Sequence, residues 1–235
     1  MPGRASAPPP VVVLSVGGSV LVTGRGDAGY LLRLAELIRE LSHDLRLAVT
    51  TGGGRTARDY IALGRQLGLT EVDLDELGID VTRLNARLLA GLVGPPTPPT
   101  PPATIAAVVH ELHRVSPVIL GGTEPGHTTD GVAGLLAERL RAVRVVNATN
   151  VDGVYDRDPR RSSSARRLDR MDWKRFRRLL DRSARGRAGQ QFVFDRLGAD
   201  CLERARIPLR IVHGRKLPNL ERALRGGKFA GTEVR

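Results

Sequence analysis

Short apolar runs alternate with amphipathic segments along most of the chain. The first run, Val11–Val16, is almost entirely β-branched, which is typical of a strand buried on both faces. A helical pattern follows at residues 30–41, where leucine and isoleucine recur on one face. A second strand at residues 45–49 and a second helix at residues 56–67 repeat this unit. Strands that alternate with helices predict a mainly parallel sheet covered by helices on both faces.

The same alternation continues to the end of the chain. We predict further helices at residues 81–92, 104–114, 132–140, 172–180, 197–205 and 219–224, and further strands at residues 117–120, 143–146 and 209–212. The fold class is therefore α/β, a three-layer αβα sandwich with a mainly parallel central sheet. One domain is expected over residues 11–235, after a disordered tail at residues 1–10 that is rich in proline, alanine and glycine.

Three of the predicted strands run into glycine-rich loops, at residues 17–19, 51–55 and 121–130. The carboxyl ends of parallel strands meet at one edge of a sheet, so these loops should converge. Backbone N–H groups and helix N-termini at such an edge suit anions. A fourth loop, at residues 147–159, is dense in groups that bond nucleobases, ribose and metal ions. Several converging loops suit a nucleoside triphosphate beside a second phosphorylated ligand, and hence phosphoryl transfer.

Charge and composition narrow the class of partner. Lys and Arg number 37 against 25 Asp and Glu, a net charge of +12 that favours anionic partners. Cys201 is the single cysteine, which excludes an internal disulfide and a cysteine-based metal site. No apolar run approaches the ~18 residues needed to cross a membrane, and the first run lacks a signal-peptide pattern. We therefore expect a cytoplasmic protein with no membrane partner.

No glycine loop ends in Gly-Lys-Ser or Gly-Lys-Thr, so a P-loop nucleotide site is excluded. His110 and His113 are three residues apart on a predicted helix, but without a third ligand we assign no metal site to protein side chains. A nucleotide site in this chain must therefore belong to another class of phosphotransferase.

The most specific sequence patterns are Gly-Gly-Thr-Glu-Pro-Gly-His-Thr-Thr-Asp at residues 121–130 and the polar loop at residues 147–159. Together with residues 75–86 and Gly-Thr-Glu at residues 231–233, they make the chain resemble the archaeal-type uridylate (UMP) kinases of the amino acid kinase superfamily. The resemblance covers about residues 11–235. It implies Mg²⁺-dependent transfer of the ATP γ-phosphoryl group to UMP in pyrimidine nucleotide biosynthesis, by a cytoplasmic homohexamer built from dimers.

The resemblance also implies roles for matched residues. Asp130 would organise the catalytic cations, and we hypothesise that Arg55 and Mg²⁺ stabilise charge on the transferred phosphoryl group. The expected ATP-binding residues are Gly17, Gly18, Ser19, Gly54, Arg58, Thr149, Asn150, Tyr155 and Asp158. The expected UMP-binding residues are Gly53, Asp75, Thr123, Glu124, Pro125, Gly126, His127, Thr128 and Thr129.

The chain departs from the pattern of these kinases at several positions. Ser15 stands in the first strand where many superfamily members carry a lysine. The usual Asp-Pro-Leu-Ala-Ala-Lys reads Asp-Arg-Leu-Gly-Ala-Asp at residues 195–200, so Arg196 replaces the proline and Asp200 the lysine. The loop just before this motif, at residues 187–191, also differs from the usual small polar pattern. These changes fall on a region that would contact ATP.

Other functions remain open from the sequence. The Arg-rich segment at residues 157–187 could bind RNA, but its aromatic residues, Trp173 and Phe176, fit an inward helix face, so we favour a lid over the nucleotide and expect no nucleic acid. The chain could instead phosphorylate another small phosphate, such as isopentenyl phosphate, or store oxoanions without catalysis. Asp75 and the threonine pair at residues 128–129 favour a ribose and base, and the intact acceptor loop argues against storage.

Overall fold

The computed structural model describes residues 8–24, 27–157, 162, 164–184 and 194–235, with the side chains of residues 182–184 left out. Most of the predicted N-terminal tail lies outside these residues, and residues 8–10 are exposed. No helix in the described part of the chain is long and apolar enough to cross a membrane.

A seven-stranded sheet forms the middle layer, in the order β3-β2-β1-β4-β6-β7-β5. Its strands are β1 (Val11–Val16), β2 (Arg46–Thr51), β3 (Val118–Leu120), β4 (Arg144–Thr149), β5 (Arg170–Met171), β6 (Leu209–His213) and β7 (Thr232–Val234). Neighbouring strands are parallel except for β6 and β7, which are antiparallel. The predicted mainly parallel sheet is therefore confirmed.

Helices cover both faces of this sheet. They are α1 (Gly18–Leu21), α2 (Ala28–Leu41), α3 (Gly54–Gln66), α4 (Glu71–Val93), α5 (Ile105–Leu112), α6 (Thr129–Leu140), α7 (Trp173–Ala184), α8 (Arg196–Ala205) and α9 (Leu217–Arg225). Within β1, Val12, Leu14 and Val16 pack under α2, α4 and α9, whereas Val13 packs under α5 to α8. This alternation, which follows from the two-residue period of a strand, produces two buried cores and three layers.

Several predicted boundaries of helices and strands were wrong, and the largest error concerns the start of α4. This helix begins at Glu71 and not at residue 81, because Thr70 caps it: the Thr70 hydroxyl accepts from the N–H of Asp73, and the Asp73 carboxylate accepts from the N–H of Thr70. The acidic stretch at residues 73–80 is therefore helical, and Asp75 lies on α4.

The other corrections are shorter. The first turns of α3 and α6 begin at Gly54 and Thr129, so both take in residues that the sequence assigned to loops. The fourth strand continues to Thr149, and α7 continues to Ala184. The two-residue strand β5 was not predicted, because two residues are too few to show a periodic pattern.

Helices α6 and α8 approach each other through glycine. A Cβ atom added to Gly134 would lie 2.5 Å from the Cα of Gly198, which no relaxed structure accepts. A Cβ on Gly198 would in turn lie 2.6 Å from the carbonyl oxygen of Asp130. The absence of side chains at this crossing lets the N-termini of the two helices meet.

We expect Gly134→Ala to destabilise the protein by about 1–3 kcal/mol, because the methyl group would overpack the crossing of α6 and α8. In a chain of this size that corresponds to a fall in Tm of ~2–4 °C per kcal/mol. Gly91→Ala, on α4, is the matched control, because its Cβ would meet nothing within 4 Å. In thermal unfolding, the Tm of Gly91→Ala should rise slightly above that of the wild type, because alanine favours a helix more than glycine does. Equal Tm values for the two variants would contradict the steric argument.

Candidate active site

The loops at the carboxyl ends of the parallel strands are joined by backbone hydrogen bonds. The N–H of Gly17 donates to the carbonyl of Ala148 at 2.9 Å, and the N–H of Gly52 donates to Val16 at 2.9 Å. The N–H of Gly214 donates to Thr149 at 2.8 Å. The loops after β1, β2 and β4 therefore lie at one edge of the sheet, as the sequence predicted, and the turn after β6, for which nothing was predicted, lies there too.

Two glycine loops touch without any side chain between them. A Cβ on Gly18 would lie 2.1 Å from the nitrogen of Gly54 and 2.6 Å from the carbonyl oxygen of Gly52. This contact brings Gly17, Gly18 and Ser19, which were predicted on the ATP side, next to Gly53 and Gly54. Backbone groups of two loops thus face the same small volume, at the start of α1 and of α3.

Asp130 lies in the first turn of α6, after the helix cap at Thr128. The hydroxyl of Ser15 donates to Asp130 Oδ1 at 2.7 Å. Burial raises the pKa of Asp130 to about 7; the hydrogen bond from Ser15 opposes this shift, and the nearby carboxylate of Asp195 adds to it. The position that many superfamily members give to a lysine therefore holds a hydroxyl that fixes the aspartate.

Asp195, which the sequence analysis did not select, lies directly beside this group. It caps α8, where its carboxylate accepts from the N–H of Gly198 at 2.6 Å, and it also accepts from the hydroxyl of Thr128. Its carboxylate thus links the starts of α8 and α6. The available signal was the aspartate ahead of a helical pattern, which marks an N-cap.

A row of polar side chains crosses the sheet beneath Asp130. Thr50, Ser15 and Asn147 occupy matching positions on β2, β1 and β4, and all three are almost fully buried. The hydroxyl of Thr50 has no hydrogen-bond partner among the described residues. Buried polar groups cost free energy unless they are hydrogen-bonded, and this row lies near the carboxyl ends of the strands.

Helix α4 holds the predicted acceptor loop. Asp75 Oδ2 accepts from the N–H of Gly126 at 2.7 Å. Arg83, which the sequence analysis did not select, donates to the carbonyl oxygens of Gly122 at 3.2 Å and Thr123 at 3.1 Å. The hydroxyl of Thr123 is buried without a hydrogen-bond partner in the described part of the chain. Asp75 and this loop were both predicted to bind UMP, and the structure brings them into contact.

The rest of the acceptor loop is more open. His127 Nδ1 lies 3.0 Å from Glu124 Oε1, and Pro125 is exposed. Thr128 caps α6 through its hydroxyl, which accepts from the N–H of Gly131 at 3.0 Å, and Thr129 is the first helical residue. The predicted residues from 123 to 129 thus form one continuous segment that ends at Asp130.

The predicted adenosine end is only partly described. Thr149 ends β4, with its hydroxyl 3.5 Å from Asn150 Oδ1. Tyr155 forms an antiparallel bridge with Arg167, which folds the loop back on itself. Asp158 lies outside the described residues. Thr149 pairs with His213, so Asn150 follows β4 beside the turn after β6, whereas Tyr155 lies against Arg167.

The turn after β6 contacts the segment that follows the first glycine loop. Arg215 donates to the carbonyl of Val20 at 3.1 Å and to the carboxylate of Asp27, and its guanidinium lies 4.6 Å from the ring centre of Tyr30. Although burial opposes it, hydrogen bonds from Thr23 and Arg215 hold the pKa of Asp27 well below its usual range. These residues fix the segment after the first glycine loop.

Lys216, the next residue, contacts a different loop from the one that Arg215 contacts. Its ammonium group donates to Asp152 at 2.8 Å, in the loop after β4. Sequence reasoning missed Lys216 and Arg215, since their partners are distant in the chain.

The two predicted cations of α3 are exposed. Arg55, the second residue of the helix, lies 3.4 Å from Asp59, and its side chain is 80% exposed. Arg58 is exposed on the same helix. Both cations stand next to the glycine loops and are accessible to a ligand. Among the described residues, no group of three or more His, Cys, Asp or Glu side chains is arranged to hold a metal ion.

Comparison with known proteins agrees with this geometry. The sequence model described as "Amino acid kinase family" matches residues 10–213. A uridylate kinase of Thermoplasma acidophilum is 42% identical over 223 residues, which cover 95% of this chain and 96% of that protein. A uridylate kinase of Archaeoglobus fulgidus is 39% identical over 224 residues, which cover 95% and 99%.

Solved structures support the same relationship. The crystal structure of uridylate kinase from Archaeoglobus fulgidus aligns with a TM-score of 0.83 at 37% identity and covers 95% of this chain and 99% of its own. A UMP kinase from Bacillus anthracis aligns with a TM-score of 0.76 over 96% of each chain; its 20% identity supports the fold alone. The predicted fold is confirmed, and the chain belongs to the amino acid kinase family.

Proposed function

We propose that the chain is a uridylate kinase that transfers the terminal phosphoryl group of ATP to UMP, giving ADP and UDP. The observation that carries this proposal is the contact between the glycine loops at Gly18 and Gly54, beside an acceptor loop held by Asp75. Two phosphorylated ligands bound at these loops would meet at the contact. Relatives about 40% identical over nearly the whole chain carry the name uridylate kinase, which supports the same substrate.

The arrangement suits phosphoryl transfer by positioning and electrostatics. Backbone N–H groups of the glycine loops and the N-termini of α3 and α6 would bind phosphate oxygens. Arg55 would reach the transferred phosphoryl group from the first turn of α3. Asp130 would organise the catalytic cations. A phosphate oxygen of UMP needs no general base to attack, so His127 is assigned to binding and not to proton transfer.

Magnesium would enter as the complex with ATP. In nucleotide sites Mg²⁺ is held largely by phosphate oxygens and water, with one or two carboxylates at most. When bound, the ion would neutralise charge on the phosphate chain.

The same proposal includes a homo-oligomer, a hexamer built from dimers by resemblance, that acts in the cytoplasm in pyrimidine nucleotide biosynthesis. Two helices that pack on each other expose apolar side chains: Tyr60 and Leu63 on α3, Leu67 directly after it, and Leu84 and Leu88 on α4. Exposed apolar surface on adjacent helices is typical of a subunit interface. It supports self-association.

The decisive measurement compares ATP-dependent ADP release with UMP, CMP, dUMP, AMP and isopentenyl phosphate. We expect UMP to lead by orders of magnitude, because Asp75 and the segment at residues 123–129 would select ribose and base. A preference for isopentenyl phosphate would indicate a different acceptor pocket. No release with any acceptor, together with tight oxoanion binding, would favour storage and contradict the proposal.

Arg55→Ala should lower kcat with UMP and ATP by at least about 100-fold, because removing one group that stabilises transition-state charge has that effect. Arg65→Ala is the control on the same helix; its exposed ion pair with Glu71 (3.0 Å) is remote from the glycine loops, and kcat should stay within about twofold. Full activity of the Arg55 variant would show that another cation performs this role.

Asp130→Asn should remove activity and stabilise the ligand-free protein above neutral pH. Because the folded-state pKa of Asp130 is raised to about 7, the native state keeps a proton that the unfolded state has lost, so stability falls as pH rises from about 4 to about 7. Asparagine cannot ionise but still accepts from Ser15. Thermal unfolding should therefore show a higher Tm for the variant at about pH 8 and little gain at about pH 4.5.

Asp59→Asn, an exposed carboxyl on α3, is the control for this measurement. A Tm difference between Asp130→Asn and the wild type that is the same at both pH values would show that ionisation of Asp130 carries no cost.

A further inference from the structure

A cleft of about 800 Å³ lies beside the sheet edge formed by β6, β7 and β5, next to the segment that joins α9 to β7. Its walls include residues 226–231 of that segment. None of its lining residues belongs to the glycine loops, the acceptor loop or residues 147–159; Arg167 and Asp169 come from the end of the connection between β4 and β5. The cleft therefore contains none of the residues predicted to bind ATP or UMP.

Positive charge dominates this cleft. Five cationic side chains line it: Arg167, Arg170, Arg210, Arg222 and Lys228. Two carboxylates, Asp169 and Glu233, are the acidic residues among its lining. Like charges collected around one concave surface repel each other, and the repulsion is relieved when an anion binds.

Both carboxylates are already paired with arginines of the cleft. Glu233 lies 3.1 Å from Arg210, and both side chains are nearly buried. Arg210 also donates to the carbonyl of Ala223 at 3.0 Å, and its guanidinium lies 5.0 Å from the ring centre of Phe229. Asp169 lies 3.0 Å from Arg167. The opposite charges within these two ion pairs largely cancel, so this part of the cleft lining carries little net charge.

The other three cations have no such compensation. Arg170 and Lys228 are exposed, and Arg222 has an amide oxygen, Asn219 Oδ1, at 3.5 Å. Within the described residues, no carboxylate forms an ion pair with any of the three. The cleft thus presents three available cations on three different elements: β5, α9 and the segment that leads to β7.

The strands make part of this arrangement rigid. Arg170 pairs with Glu233 across β5 and β7, and Glu233 pairs with Arg210 across β7 and β6, so the three side chains stand in one row on one face of the sheet. Arg144 of β4 lies close by, against Gly226, and burial together with neighbouring Arg210 lowers its pKa. Arg144 is thus a further cation close to the residues that line the cleft.

We propose that this cleft binds a polyphosphate group, as carried by a nucleoside triphosphate or by inorganic triphosphate, at a site distinct from catalysis. Guanidinium groups match phosphate oxygens in bidentate fashion, and three available cations would offset much of the charge of a triphosphate chain. The volume falls within the range of about 300–1,000 Å³ for small-molecule sites. The cations surround one cleft and do not extend as a stripe with stacking aromatic residues, which favours a small ligand over nucleic acid.

The test uses the full chain with three substitutions, Arg170→Ala, Arg222→Ala and Lys228→Ala. The control carries Arg33→Ala, Arg87→Ala and Arg114→Ala, which remove the same charge from exposed positions elsewhere. Equilibrium dialysis measures the binding of a non-hydrolysable ATP analogue. The wild type and the control should bind one equivalent more per chain than the cleft variant. Turnover of UMP by the cleft variant should be unchanged at saturating ATP, which separates this proposal from the proposed kinase activity.

Calorimetry with inorganic triphosphate and with a single-stranded oligonucleotide identifies the ligand. Loss of these charged hydrogen bonds should weaken triphosphate binding to the cleft at least about tenfold. Equal stoichiometry in all three proteins would overturn the proposal. Loss of oligonucleotide binding alone, with unchanged nucleotide stoichiometry, would also overturn it and assign the cleft to nucleic acid.

Discussion

The site depends on one backbone contact, the approach of Gly18 to Gly52 and Gly54. With no side chain between the first two strand–loop–helix units, the ends of β1 and β2 can present their N–H groups to one volume. A single methyl group at Gly18 would force these loops apart. The other parts of the site, including α6, α8 and the turn after β6, are arranged around this contact by the parallel register of the sheet.

A second constraint is electrostatic. Asp130 and Asp195 are brought together where α6 and α8 cross at Gly134 and Gly198. Burial, with a smaller contribution from Asp195, raises the pKa of Asp130, which is the cost of this arrangement. Ser15 offsets part of the cost by a hydrogen bond and not by the charge of a lysine. Asp130 therefore ionises less readily than an exposed aspartate, and a cation bound beside it would lower its pKa again.

Replacement of the family's lysine by Asp200 has a visible consequence on α8. Asp200 is 3.0 Å from Arg196 and 3.8 Å from Arg177, so the acid joins a surface ion network between α7 and α8. Arg196, which stands in the usual place of a proline, also pairs with Asp181 of α7. The two residues that depart from the family pattern, Arg196 and Asp200, therefore pair with each other. Their further ion pairs connect α7 to α8, the helix that Asp195 caps.

The alternation of apolar runs was enough to predict the layers, the direction of most strands and the convergence of the glycine loops, because local periodicity reports which faces are buried. Asp75 and the acceptor segment were assigned by resemblance, and the structure brings them into contact. The start of α4 and the two residues of β5 escaped prediction, since a capping box and a very short edge strand carry little periodic signal. The contacts of Arg83 and Arg215, and the hydrogen bond between Thr128 and Asp195, were decided only by the tertiary structure. Their partners lie far away in the chain, and no local pattern records a contact that exists only after the sheet has assembled.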